Sequence, residues 1–93
     1  MLWAFFYWRT NIMKLLKLGA EWCQPCKALA KTIADSNLPV AVEEVDIDER
    51  PDVAAKHMVR GVPTLILLND AGDVLKRHTG AMNKAQLLEF IKA

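Results

Sequence analysis

Cysteine, histidine and net charge are scarce in this chain, and each shortage excludes something. It has two cysteines and two histidines in 93 residues. Two cysteines are too few for a secreted disulfide scaffold. Structural zinc takes four ligands, and His57 and His78 lie far apart without ligand-like spacing. A metal site or cofactor within one chain is therefore not expected, while a cluster shared between two chains stays open. The net charge of +1 gives no electrostatic case for nucleic acid. Repeats, low-complexity tracts and linkers are missing, so the chain reads as one domain. Its 25% charged and 53% apolar residues suit a water-facing surface around a core. No apolar run approaches the ~20 residues needed to span a bilayer.

The longest apolar run is Met1–Trp8, MLWAFFYW, which carries five of the seven aromatic residues. It makes a poor secretion signal, because no basic residue precedes it and no small-residue cleavage site follows. Met13 then opens a second sensible start. Residues 1–12 are read as an apolar extension ahead of a domain over 13–93. The extension is a remnant of an upstream start or of cloning, a membrane-surface or partner-binding tag, or an extra edge strand.

Both cysteines fall inside Trp22-Cys-Gln-Pro-Cys-Lys27. Two intervening residues let one helical turn bring the sulfurs to bonding distance. A nucleophilic cysteine must be a thiolate, and an unperturbed thiol with pKa ~8.5 is mostly protonated at neutral pH. A helix N-terminus favours the anion through its unpaired N–H groups and its dipole. Pro25 suits the first turn, where its missing N–H costs nothing. Cys26, Leu29, Ala30 and Ile33 recur at helical spacing. Cys23 is then the attacking sulfur just ahead of a helix, and Cys26 the buried resolving one. A purely structural bridge would add little, since so short a loop hardly restricts the unfolded chain. A redox dithiol in a small βα protein suits a reducing compartment, so the expected location is cytoplasmic.

From Met13 the pattern predicts strands at Lys14–Leu18, Val40–Asp46, Thr64–Leu68 and Val74–Thr79. Helices are predicted at Gln24–Asp35, Arg50–Met58 and after Asn83, the last with Leu87, Leu88 and Ile91 on one side. Asn69–Gly72 is a hairpin turn. The order is β-α-β-α-β-β-α, an α/β class. A helical crossover makes the first two strands parallel, and the hairpin makes the last two antiparallel.

Four strings now stand in order: Ala20-Glu-Trp-Cys-Gln-Pro-Cys-Lys27, Val45-Asp-Ile-Asp48, Arg60-Gly-Val-Pro-Thr64 and Gly80-Ala81. Together they resemble the thioredoxin family over residues 13–93. The resemblance implies a thioredoxin fold with a four-stranded mixed sheet and helices on both faces. It implies exchange with protein disulfides, no cofactor beyond the Cys23–Cys26 pair, and electrons from a thioredoxin-reductase-type or glutathione donor. A monomer is expected. Gly-Val-Pro-Thr alone fits an ordinary trans proline opening a strand equally well. With the resemblance, Pro63 follows a cis bond and faces the sulfurs, and Val62 offers its backbone to a substrate strand. Gly80 keeps the neighbouring surface open, and Trp22 shields one side of the helix. Gln24 and Pro25 complete the substrate-facing set. The alternatives are a glutaredoxin-like, glutathione-linked enzyme and a binding module that docks through Trp22, Val62, Pro63 and Gly80 without redox turnover.

Three departures from the family pattern matter. Gln24 stands where the family usually has glycine, so it is bulkier and can hydrogen-bond beside the sulfurs. Lys17 stands where the family buries an aspartate, and Glu44 where its lysine partner sits, so the pair is charge-reversed. Opposite charges on adjacent strands still cancel. Lys17 would then stabilise a Cys26 thiolate and Glu44 would accept a proton. The plainer alternative is that Lys17 snorkels outward and Glu44 is solvated. Finally, the family's first strand and helix are missing, which leaves Val40–Asp46 as a sheet edge. Crossing two strand spacings takes roughly 10 Å. Arg9–Ile12 reaches that far at ~3.3 Å per residue, so residues 2–8 are expected antiparallel along that edge.

Overall fold

Alternation along the first strand sorts the whole molecule into layers. The computed structural model describes residues 13–92. The strand β1 (Lys14–Gly19) buries every residue after Lys14, so both of its faces must be covered. Leu15 points to a core with Leu29, Ile33, Leu65, Leu67, Leu87 and Phe90. Leu16 and Leu18 point the other way, to Val45 and Ile66, with Val53 and Ala54 packed on them. The first core lies under helices α1 (Gln24–Ser36) and α3 (Lys84–Phe90), and the second under α2 (Pro51–Lys56).

The strands β2 (Ala41–Asp46), β3 (Thr64–Leu68) and β4 (Val74–Thr79) complete a sheet of order β2-β1-β3-β4. The strand β1 pairs parallel with β2 and antiparallel with β3, and β3 pairs antiparallel with β4. The element order and strand directions agree with those expected from the sequence, as does the four-stranded mixed sheet. Thr64 through Leu67 in β3 are all 0% exposed, which explains a run apolar on both faces. Among the described residues β2 is an outer strand. The pairing expected for residues 2–8 lies outside the described residues, as does the rest of the 1–12 extension. No helix among the described residues is long and apolar enough to cross a membrane.

Local chemistry sets the helix limits. The helix α1 ends where Asn37 takes φ 51°, a left-handed conformation that asparagine tolerates. The helix α3 opens on a capping box: Asn83 Oδ1 accepts from the Gln86 N–H at 2.8 Å, and Gln86 Oε1 accepts from the Asn83 N–H at 2.9 Å. Phe90 and Leu87 are its buried residues, whereas Leu88 is only half-buried. The helix α2 is shorter than the expected Arg50–Met58. Met58 adopts φ 53°, and the Val59 N–H turns back to the Ala54 carbonyl. That closes the helix in the manner of a Schellman end. Arg77 on β4 donates to the His57 carbonyl at 2.6 Å, which fixes this end to the sheet.

Leu29, 1% exposed, ties α1 to the sheet. Leu29→Ala is expected to cost about 2–5 kcal/mol, read as a lower urea midpoint with an unchanged slope. His57 supplies a pH test. Partial burial, then the charges of Lys56 and Arg77, lower its pKa from the ordinary 6.5. The unfolded chain therefore binds this proton more readily, and stability falls as pH drops through 6.5 toward the folded value. His57→Gln is expected to flatten that part of the stability–pH curve measured by urea unfolding.

Candidate active site

The N-terminus of α1 carries both cysteines. Cys23 is the N-cap residue in extended conformation (φ −95°, ψ 106°), and Pro25 occupies the first turn. Cys23 Sγ accepts the backbone N–H of Cys26 at 3.1 Å, so sulfur takes the role usually filled by a capping oxygen. The two sulfurs are joined as a disulfide. Both cysteines are buried, Cys23 at 5% exposed and Cys26 slightly deeper at 2%. The helix is held to β1 by a tight turn in which the Cys23 N–H donates to the Ala20 carbonyl.

Gly19 makes this approach possible. A Cβ there would lie 3.1 Å from Cys26 Sγ and 3.2 Å from Cys26 Cβ. From the sequence, Gly19 is only the end of a strand. Its close approach depends on the packing of α1 on β1, which no local motif announces.

A second loop closes on the sulfurs from the β3 side. The Val62–Pro63 peptide bond is cis. Val62 and Ile47 pack against the buried cluster of Ala20, Cys23 and Cys26. Pro63 itself is fully buried. Gly80, at φ 114°, donates its N–H to the Pro63 carbonyl at 2.8 Å. A residue with a Cβ is strained at such a φ. Thr64 Oγ1 donates to the Gly61 carbonyl at 2.6 Å, fixing the other end of the loop.

Trp22, next to Cys23 in the chain, is 66% exposed. Its indole Nε1–H donates to Asp48 Oδ2 at 2.9 Å. Asp48 in turn donates its backbone N–H to Asp46 Oδ1. The Val-Asp-Ile-Asp string therefore holds the tryptophan, a role not expected from the sequence. Gln24 and Pro25 are exposed on the surface of the first turn.

The charge-reversed pair also comes together. Lys17 and Glu44 are direct partners in the β1–β2 register, with Nζ 3.8 Å from Oε2. The Lys17 side chain is 7% exposed and that of Glu44 63%. Among the described residues, no cluster of three or more His, Cys, Asp or Glu side chains has a geometry that could hold a metal ion. The arrangement can carry two-electron exchange between thiols and a disulfide at one helix end.

Known proteins share this architecture. The thioredoxin family model matches residues 8–93. A thioredoxin of Pseudomonas aeruginosa is 40% identical over 83 residues, covering 85% of this chain and 76% of the relative. A thioredoxin of Acidithiobacillus ferridurans is 37% identical over 91 residues, covering 88% of this chain and 83% of the relative. Among solved structures, a mutant thioredoxin from Halobacterium salinarum superimposes with a TM-score of 0.81 at 32% identity. That match covers 88% of this chain and 74% of the other.

Asp48→Ala is expected to release the Trp22 ring, seen as a shift of the indole N–H resonance toward its solvent-exposed position. The accompanying loss of stability should be about 1 kcal/mol or less, as for other surface hydrogen bonds.

Proposed function

The chain belongs to the thioredoxin family and is a thiol–disulfide oxidoreductase of protein disulfides; on that premise we propose that Cys23 is its attacking sulfur and Cys26 its resolving sulfur. The supporting observation is the N-cap geometry: Cys23 Sγ lies at the end of α1 with the Cys26 N–H directed at it. In the reduced protein that N–H and the helix dipole favour a thiolate at Cys23. The thiolate attacks one sulfur of a substrate disulfide, and the other sulfur leaves as a thiolate and takes a proton from water. Cys26, as thiolate, then attacks Cys23 Sγ. The mixed disulfide breaks, the second substrate sulfur leaves, and the Cys23–Cys26 bond forms. Two electrons pass from the protein dithiol to the substrate.

Val62 and Pro63 offer the backbone against which an extended substrate segment lies. Trp22, Gln24, Pro25 and Gly80 border the same surface. A strand-like substrate would pair with the Val62 backbone and place its disulfide over Cys23. The reductase that returns electrons is of the thioredoxin-reductase type, with a glutathione system as the other donor. The protein works as a cytoplasmic monomer, and its only redox group is the cysteine pair.

Reduction of insulin disulfides tests this assignment. Cys23→Ser should abolish turnover, a loss of at least about 10³-fold. Cys26→Ser should accumulate a mixed disulfide on Cys23, seen by mass spectrometry of intact protein. Turnover that survives Cys23→Ser would refute the assignment.

A further inference from the structure

A buried cation lies under the resolving sulfur. Alternation puts Leu15, Lys17 and Gly19 on the face of β1 that α1 covers. Leu15 joins the core there, and Lys17 is only 6% exposed. The place where a Cβ on Gly19 would stand is 3.1 Å from Cys26 Sγ and 3.4 Å from Lys17 Nζ. Sulfur and ammonium thus flank the space left by that missing side chain. Both line an open pocket of about 310 Å³.

Other charges face the same pocket: Glu44 and Asp46 from β2, Glu21 from the turn after β1, Lys27 from α1 and Glu49 from the loop after β2. Four of these five are exposed, and Asp46 is half-buried with Oδ1 already accepting the Asp48 N–H. Water screens charges in such positions. The Lys17 ammonium is the one buried charge of the group, and its partner Glu44 holds its carboxylate mostly in solvent at 3.8 Å.

We propose that Lys17 is an electrostatic positioning residue that favours the thiolate of Cys26, and that Glu44 sets how strongly its field is felt. This rests on the reading of Cys26 as the resolving sulfur. The Cys26 proton passes to pocket water, and the thiolate attacks Cys23 Sγ as described above. Lys17 takes no part in bond making. It favours the ionised sulfur because opposite charges on two buried groups attract more strongly than they would in bulk water. The same field stabilises the dithiol state relative to the disulfide, so the protein is a weaker reductant than it would be without the ammonium.

The test follows the pH dependence of iodoacetamide alkylation at Cys26 in full-length Cys23→Ser protein. Lys17→Met keeps the side-chain volume and removes the charge. It should raise the alkylation midpoint by about one pH unit or more, the size expected of an opposite charge within ~4–6 Å. Glu44→Gln should lower the midpoint, because it frees the ammonium from its counter-ion. In otherwise wild-type protein, Lys17→Met should also make the reduction potential more negative. A purely structural role would change melting temperature without moving the two midpoints in opposite directions. If Lys17→Met proves poorly folded, Glu44→Gln still decides: a midpoint that stays or rises overturns the proposal. Wild-type insulin turnover combined with unmoved midpoints would overturn the role of Lys17 and leave the assignment of the cysteines standing.

Discussion

One hydrogen bond organises the molecule's chemistry: the N–H of Cys26 directed at the sulfur of Cys23, 3.1 Å away at the start of α1. An oxygen in this position would only cap a helix. A sulfur there is capped and activated together, because the donor and the helix dipole that stabilise the turn also favour negative charge on the atom. Pro25 strengthens the arrangement by presetting the first turn. In the proposed assignment, the interactions that start the helix are the same ones that favour a thiolate at Cys23.

The rest of the fold delivers two other surfaces to that point. The strand β1 brings Gly19 close to Cys26 from below, and β3 brings the cis Val62–Pro63 loop from the side. The Gly80 N–H and the Thr64 hydroxyl hold that loop by hydrogen bonds to the Pro63 and Gly61 carbonyls. Each contact comes from an element buried on both faces or anchored at its end, so the site rests on the most buried part of the sheet. Beneath it, Lys17 introduces a charge into the buried stretch of β1, among Leu15, Leu16 and Leu18. A buried ammonium is a cost to folding, and the role proposed for it at Cys26 is the use that would justify that cost.

Much of this was legible in the chain because local signals agreed. The apolar, β-branched run from Thr64 to Leu68 has the limits of β3 as predicted, and Asn69–Gly72 forms the turn. The cysteine spacing and Pro25 located the start of α1. The Lys17–Glu44 pairing followed from the resemblance to the family's pattern, and the β1–β2 register agrees. What remained hidden depended on tertiary packing. The depth of Lys17 compared with Glu44 is set by α1 lying over β1. The end of α2 is set by Met58 entering a left-handed conformation, which its residue type does not favour. Phe90, not among the residues expected on the buried side of the last helix, is a core residue. The partner of Trp22 was missed because Asp48 lies 26 residues away.

The most direct test is the ionisation of Cys23 in the reduced wild-type protein, followed by its rate of alkylation against pH. The helix-end geometry predicts a midpoint well below the ~8.5 of a free thiol. A midpoint at or above that value would contradict it, because the hydrogen bond and dipole at the start of α1 would then confer no reactivity.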